Sequence, residues 1–501
     1  MELSQINDYK SLLDEFICLF KNIKNIFSIN LNDAFKNNNI NKIKTSKLIL
    51  DTELLLSKYN NDINKILDLK LFEENNDISL NDNLFIKYTL EYEKLIANKL
   101  IINNEIENEI LEGHFIKNID RKKIYRDKKE HEVKKLSNFI KKCQDISYCE
   151  ILLEIGCGKS YLTDALLTTE NNNKLLYIGV DMNKNVIDKS KEIYKNNKNV
   201  YLLNSFINFN DFESFYNGEI KKILTENNKM NKNIFLFGLH SCGNLTSNTL
   251  KIFINNNYFK SIAIVGCCLH LLNEYISPET KSSEEFINYY SGIGYNKNGK
   301  FLDNTFLFEL NNNNEDNLGY PLSKYIKDKY NYFFFGRDVR NAAMLNNSEN
   351  ASVESLSWDK NFYRALLQKY LEDNLNEYSK IYGLGKNKYI DKCSFNEYVN
   401  DFLMQIKKNE KRENVINKID NLIKDIDKCN KFYDENKNLN TKHYALNLIR
   451  IKFAKIIEYI IALDRIIFLI EKGINNVKLI RIFNNHISPR NLLIYASKNK
   501  E

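Results

Sequence analysis

The stretch Ile151-Leu152-Leu153-Glu154-Ile155-Gly156-Cys157-Gly158 decides how this chain is read. Its first five residues form a short apolar run interrupted only by an acid, which predicts a buried strand. Two glycines follow at once. Glycine lets the backbone turn sharply and lets a ligand approach it closely. Residues 159–167 then carry helical spacing, so the segment predicts strand, tight turn and helix. In an open α/β sheet, ligands sit beyond the carboxyl ends of the strands, where this turn falls.

The same alternation continues on both sides. Residues 175–180, 200–203, 234–239 and 261–266 predict four more strands, and 184–194 is one of the helices between them. Strands alternating with helices imply parallel pairing through right-handed crossovers. Far downstream, a long helix at 444–471 precedes two short β-rich runs, 477–483 and 491–496, joined by a turn with Ser488-Pro489. The expected fold is therefore α/β and Rossmann-like, with a seven-stranded, mostly parallel sheet finished by an antiparallel pair. Residues 1–112 read as a helical N-terminal region, from apolar spacing at Leu12, Leu13, Phe16 and Phe20 and at Leu90, Tyr92, Leu95 and Ile96. The α/β domain is expected over 113–501, with a large helical insertion at about 270–443 and a closing helix and strand pair at 444–501.

Composition narrows the class. The chain has 501 residues, 43% hydrophobic and 27% charged, which fits a folded soluble protein and opposes full disorder. The net charge of +7 permits contact with RNA without demanding it. The apolar run at 456–470 is broken by Asp464 and Arg465, so no membrane span is expected. Nine cysteines without repeated spacing, and a start (Met1-Glu2-Leu3-Ser4-Gln5) that lacks a secretory pattern, point to an intracellular compartment, cytoplasmic or nuclear.

Asp181 ends the second strand and is placed to accept hydrogen bonds from ribose hydroxyls. A dinucleotide fingerprint needs a third glycine, and Tyr161 stands there instead. Glu154, Gly156, Cys157, Gly158 and Asp181 are thus expected to bind S-adenosyl-L-methionine. Asn204 and Ser205, after the third strand, are adenine contacts or ordinary turn residues. A nicotinamide or flavin site and a non-binding glycine turn are the alternatives.

A second constellation follows the fourth and fifth strands: Gly238-Leu239-His240-Ser241-Cys242-Gly243 and Gly266-Cys267-Cys268-Leu269-His270. If these strands are neighbours, His240, Cys242, Cys267 and Cys268 meet beside the methyl donor as catalytic candidates. His240 as a general base, a Cys as nucleophile, zinc binding, and plain packing beneath the cofactor all stay open. The spacing matches no standard zinc finger, so no metal is expected. Lys128, Lys129, His131, Arg337 and Arg340 are candidate substrate contacts, although the charged run 121–135 and the two arginines also suit a solvated face or structural ion pairs.

Together these motifs resemble the eukaryotic methyltransferase-like protein 25 family, also named ribosomal RNA adenine dimethylase domain-containing proteins. The resemblance covers about residue 113 to the C-terminus. It rests on Lys128-Lys129-Glu130-His131-Glu132, Glu154-x-Gly156-x-Gly158, His240-Ser241-Cys242-Gly243-Asn244-Leu245 and Gly266-Cys267-Cys268. Further along come Gly319-Tyr320-Pro321-Leu322-Ser323, Gly336-Arg337-Asp338-Val339-Arg340, Phe362-Tyr363-Arg364-Ala365, Leu463-Asp464-Arg465 and Ser488-Pro489-Arg490-Asn491. Leu269 departs from the aromatic that commonly follows the Cys pair. The resemblance implies a class I methyltransferase. Adenine amino methylation usually uses an Asn- or Asp-Pro-Pro-aromatic loop, and His-Ser-Cys-Gly stands in its place. The two His/Cys patches are also similar to those of the tRNA acceptor-stem 2′-O-methyltransferases, which implies RNA as acceptor ahead of protein. A non-catalytic scaffold of the same fold is the remaining alternative.

Overall fold

A computed structural model describes residues 2–27, 31, 34–35, 46–62, 65–66, 82–103, 127–167, 175–275, 277, 318–331, 333–344, 358–375 and 393–498. The Asn runs at 171–173 and 311–314, Pro278, and residues 121–126 of the charged run lie outside them.

The chain forms two compact units. The first comprises residues 1–18, 94–346 and 455–501, and the second 19–93 and 347–454. The helices Glu2–Phe27 and Asn440–Glu471 contribute to both. This corrects the linear division expected from sequence. Part of the N-terminal region and part of the insertion make one unit, while described residues 318–344 belong with the α/β unit.

The first unit is built on one sheet of eight strands: β1 Ile101–Asn103, β2 Ile151–Ile155, β3 Leu176–Asp181, β4 Val200–Asn204, β5 Ile234–Cys242, β6 Phe259–Cys267, β7 Asn476–Arg481 and β8 Leu492–Ser497. Their order is β1-β7-β8-β6-β5-β2-β3-β4. Only the pairings of β8, with β6 and with β7, are antiparallel. The seven expected strands are present. The eighth, β1, lies in the region read as helical and pairs with β7 at the sheet edge. Three residues carry no detectable period, so this strand exists through its partner.

The strand sequences are continuous apolar runs because both sheet faces are covered. All five residues of β2 are buried, and so are Ile234 to Leu239 of β5. Leu152, Tyr177, Phe235, Phe237 and Val265 pack into one core with Val133, Leu136 and Ile140 of the helix Asp127–Ser147. That helix lies against the helix Tyr161–Leu167 and against β6. Its position matters below, because it brings Glu132 to the sheet.

The segments after β6 are fastened by buried charge. Glu274 accepts hydrogen bonds from the Phe335 and Gly336 amides and from Arg340 Nε at 3.0 Å. Arg340 also donates to the carbonyls of Leu269, His270 and Leu272. Asp464 accepts from the Leu322 and Ser323 amides at 2.8 and 2.9 Å. Desolvation of such groups is repaid only when their hydrogen bonds are made, as here.

The second unit is helical among its described residues. Phe35, Phe362 and His443 meet edge-on or tilted, and Phe453 packs against Phe85 and Tyr92. Lys452 pairs with Glu93 at 2.7 Å. Among the described residues no helix is long and apolar enough to cross a membrane.

Candidate functional site

The glycine loop sits at the carboxyl edge of the sheet, between β2 and the helix Tyr161–Leu167. The amides of Gly156 and Cys157 both donate to the Val180 carbonyl, at 2.8 and 3.1 Å, pinning the loop to β3. Gly156 and Gly158 have φ of +73° and +53°, a region that side chains disfavour. A Cβ on Gly158 would meet nothing within 4 Å, so a ligand has room against this backbone. Asp181 accepts from the Gly158 amide at 2.9 Å and the Asn183 amide at 2.8 Å. A carboxylate has about four acceptor sites, so capacity remains for ribose hydroxyls.

Next to Asp181 lies a feature missed in the sequence. Met182 and Phe206 are 70% and 66% exposed at the ends of β3 and β4. Large apolar side chains left in water at a strand edge suit the faces of a flat ring. Asn204 Nδ2 and the Ser205 amide both donate to the Asp181 carbonyl, which ties these two residues to the same corner. The donor set and the open glycine therefore fit an adenosine-bearing methyl donor.

Two expected cofactor contacts have their side chains in the core. Glu154 is 3% exposed, and the Tyr177 hydroxyl donates to its carboxylate. Burial pushes its carboxyl up to about 8. It anchors the strand end from within the core, and the solvent-accessible acid is Asp181. The Cys157 side chain likewise turns into the core, leaving its backbone at the loop.

On the neighbouring strands, β5 and β6 pair in parallel with a register shift between Leu239 and Ser241. His240 is the extra residue and has φ +60°. Such a bulge re-aims a side chain. His240 Nε2 lies 2.9 Å from Glu132 Oε1. The same oxygen accepts from Ser488 Oγ at 2.7 Å, and Glu132 Oε2 accepts from Lys129 at 3.1 Å. Burial acts to raise the Glu132 carboxyl, but His240, Ser488 and Lys129 outweigh it and hold it near 2. Glu132 is thus an ionised carboxylate with 2% side-chain exposure, aimed at an imidazole. It escaped the sequence reading, although it stands inside the Lys-Lys-x-His-Glu segment.

The expected meeting of His240, Cys242, Cys267 and Cys268 does occur. Sγ of Cys242 lies 3.0 Å from that of Cys267 and 3.3 Å from that of Cys268, and the latter two are 3.7 Å apart. The His240 carbonyl accepts from Cys267 at 3.2 Å and from Cys242 at 3.4 Å. A hydrogen bond from Cys267 draws the Cys242 thiol down to about 6. Cys267 is raised by that bond and by burial, and Cys268 chiefly by burial. Glycine is required at 243, with φ +54°, because a Cβ there would stand 2.9 Å from the Leu271 carbonyl oxygen.

The expected substrate contacts divide. Arg340 is fully buried in its pairing with Glu274, so it braces the fold. Its i, i+3 spacing with Arg337 suggested an exposed face, which the buried acid overrides. His131 Nε2 accepts the Asn484 amide at 3.0 Å and its ring meets Phe483 edge-on, holding the turn before β8. Lys128 and Lys129 stay partly exposed, and both reach Glu132. Arg337 is half-buried and acts with burial to lower the His270 imidazole.

With strand order, loop and site in place, residues 128–275 match the family described as a methyltransferase domain. That segment is thus similar to a methyltransferase domain. The chain is similar to two proteins named probable methyltransferase-like protein 25. The Mus musculus protein is 30% identical over 270 residues, 52% of this chain and 37% of that protein. The Homo sapiens protein is 28% identical over 275 residues, 53% of this chain and 37% of that protein. The aligned part thus spans little more than a third of these curated relatives. No solved structure matches. The resemblance drawn from the motifs is borne out, and the matched segment holds the glycine loop, Glu132, His240 and all three clustered cysteines.

Proposed function

We propose that the chain is an S-adenosylmethionine-dependent methyltransferase that acts on a hydroxyl of a macromolecule, RNA ahead of protein, with His240 as the base. The observation that carries this reading is the Glu132–His240 pair at the same sheet edge as the glycine loop. The bound donor would supply a methyl group already activated on a sulfonium sulfur, so alignment accounts for much of the rate. The loop and Asp181 hold the donor, and Met182 and Phe206 cover its adenine.

His240 then does what a hydroxyl acceptor needs. Its Nε2–H donates to the ionised Glu132, which fixes the tautomer and leaves Nδ1 as the basic nitrogen. Nδ1 takes the proton that the hydroxyl loses as its oxygen is methylated. Glu132 steadies the resulting imidazolium without itself accepting the proton. A ribose hydroxyl meets this requirement, and a net charge of +7 favours an anionic polymer.

Calorimetry with S-adenosylmethionine tests the first half, and donor-label transfer into fractionated cellular RNA and protein tests the second. Saturable binding and label in RNA are expected. A folded chain that binds no donor would be a scaffold, and label confined to protein would reject RNA.

A further inference from the structure

We propose that Cys242, Cys267 and Cys268 form a three-thiolate site for a single thiophilic cation of the zinc class. The proposal concerns binding and stands whether or not the methyl-transfer reading holds. It begins from convergence. Among the described residues, these three are the group of potential ligands whose donor atoms all lie within 4.8 Å of one another. Cys242 and Cys267 are register partners at the carboxyl ends of β5 and β6, and Cys268 is the next residue. Cys268 has φ +50°, a left-handed conformation that carries the chain back over the strand end. A non-glycine residue in that region costs energy and marks a position that the surroundings over-determine.

The triangle has the right size. Tetrahedral zinc with Zn–S bonds of about 2.3 Å sets its sulfur atoms roughly 3.8 Å apart. The edges here are 3.0, 3.3 and 3.7 Å, so a cation needs only slight spreading of two of them. A disulfide would use two sulfurs and give the third no purpose. Soft sulfur donors select zinc or copper(I) over magnesium or calcium.

Charge and access agree with this. Three thiolates and a divalent ion carry one net negative charge. Two buried guanidiniums stand close by: Arg465 Nη1 would lie 3.1 Å from a Cβ on Gly266, next to Cys267, and Arg490 acts electrostatically on Cys268. Cys242 is exposed, Cys268 half-buried and Cys267 buried, which leaves an entry path and one open coordination position. Three protein ligands with a free fourth position describe a site that takes water or a substrate atom. Linear spacing hid this, because the thiols are joined by strand pairing across 25 residues and not by a local motif.

Metal analysis of the full chain, purified reduced and without chelators, tests the proposal, together with cobalt(II) titration of the metal-free protein. About one zinc per chain is expected, with a cobalt–thiolate charge-transfer band that zinc displaces. Retained metal should fall to less than about a tenth of one equivalent in Cys267→Ser and in the triple serine variant. Cys393→Ser, a change outside the cluster, should keep it. Wild-type protein with all nine thiols free that neither holds zinc nor develops the band would overturn the assignment. So would equal metal content in the triple variant. The wild-type titration decides the matter even where a variant folds poorly.

Discussion

The proposed donor corner and the proposed acceptor corner share one sheet edge but are built in opposite ways. The donor corner is local and made largely of backbone. Its key contact, Gly158 to Asp181, joins residues 23 apart. The acceptor corner is assembled from distant side chains. Glu132 meets His240 across 108 residues and Ser488 across 356. On the proposed reading, a shared cofactor would be served by a local loop and a particular acceptor by contacts that only the complete fold provides. The difference also shows in charge: two buried glutamates lie near this edge, and one is held near 2 while the other rises to about 8.

Substitutions on the acceptor side should separate rate from donor binding. His240→Ala is expected to slow methyl transfer by about 100- to 10,000-fold while donor affinity stays unchanged. Glu132→Gln should lower the rate less and alter its pH profile, since the imidazole keeps a partner but loses the compensating charge. Equal loss of donor affinity in both variants would dissolve the distinction between the corners.

On the donor side the opposite split is expected. Asp181→Ala removes charge-assisted bonds to two hydroxyls and should weaken donor binding by about 100-fold in calorimetry. Phe206→Ala removes one stacking face and should cost roughly tenfold or less. Unchanged affinity in both would place the adenosine elsewhere.

The smallest effect concerns stability. Glu154 ionises at about 8 in the folded donor-free chain but near 4.3 when unfolded. Its contribution is full below the unfolded value and is lost as pH rises towards 8. Glu132 behaves in the reverse sense, contributing above about 4.3 and losing that contribution as pH falls through about 2. Denaturant melts at pH 5 and pH 8 should therefore converge in Glu154→Gln relative to wild type. A slope between those pH values that Glu154→Gln leaves unaltered would show that this carboxyl ionises normally.

The comparison also explains what could be read in advance. Strands β2 to β8 were legible because doubly covered strands must be apolar throughout, and the loop was legible because its glycines are local. The exposed Met182 and Phe206 left a signal: apolar residues within two positions of a polar strand end. Glu132 and Ser488 left none, because a carboxylate in a lysine-rich helix looks solvated until its distant partners are placed. Arg340 misled for the same reason, since Glu274 lies 66 residues away.

One fastening carries a structural consequence. The Gly319 and Tyr320 amides both donate to the Asn273 carbonyl, and the Tyr275 amide donates to the Tyr320 carbonyl. Residues 273–275 and 319–320 are thus clasped side by side. Because Glu274 stands between Asn273 and Tyr275, the clasp also holds in place the carboxylate that receives Arg340 and the Phe335 and Gly336 amides, so a few backbone bonds secure a buried charge.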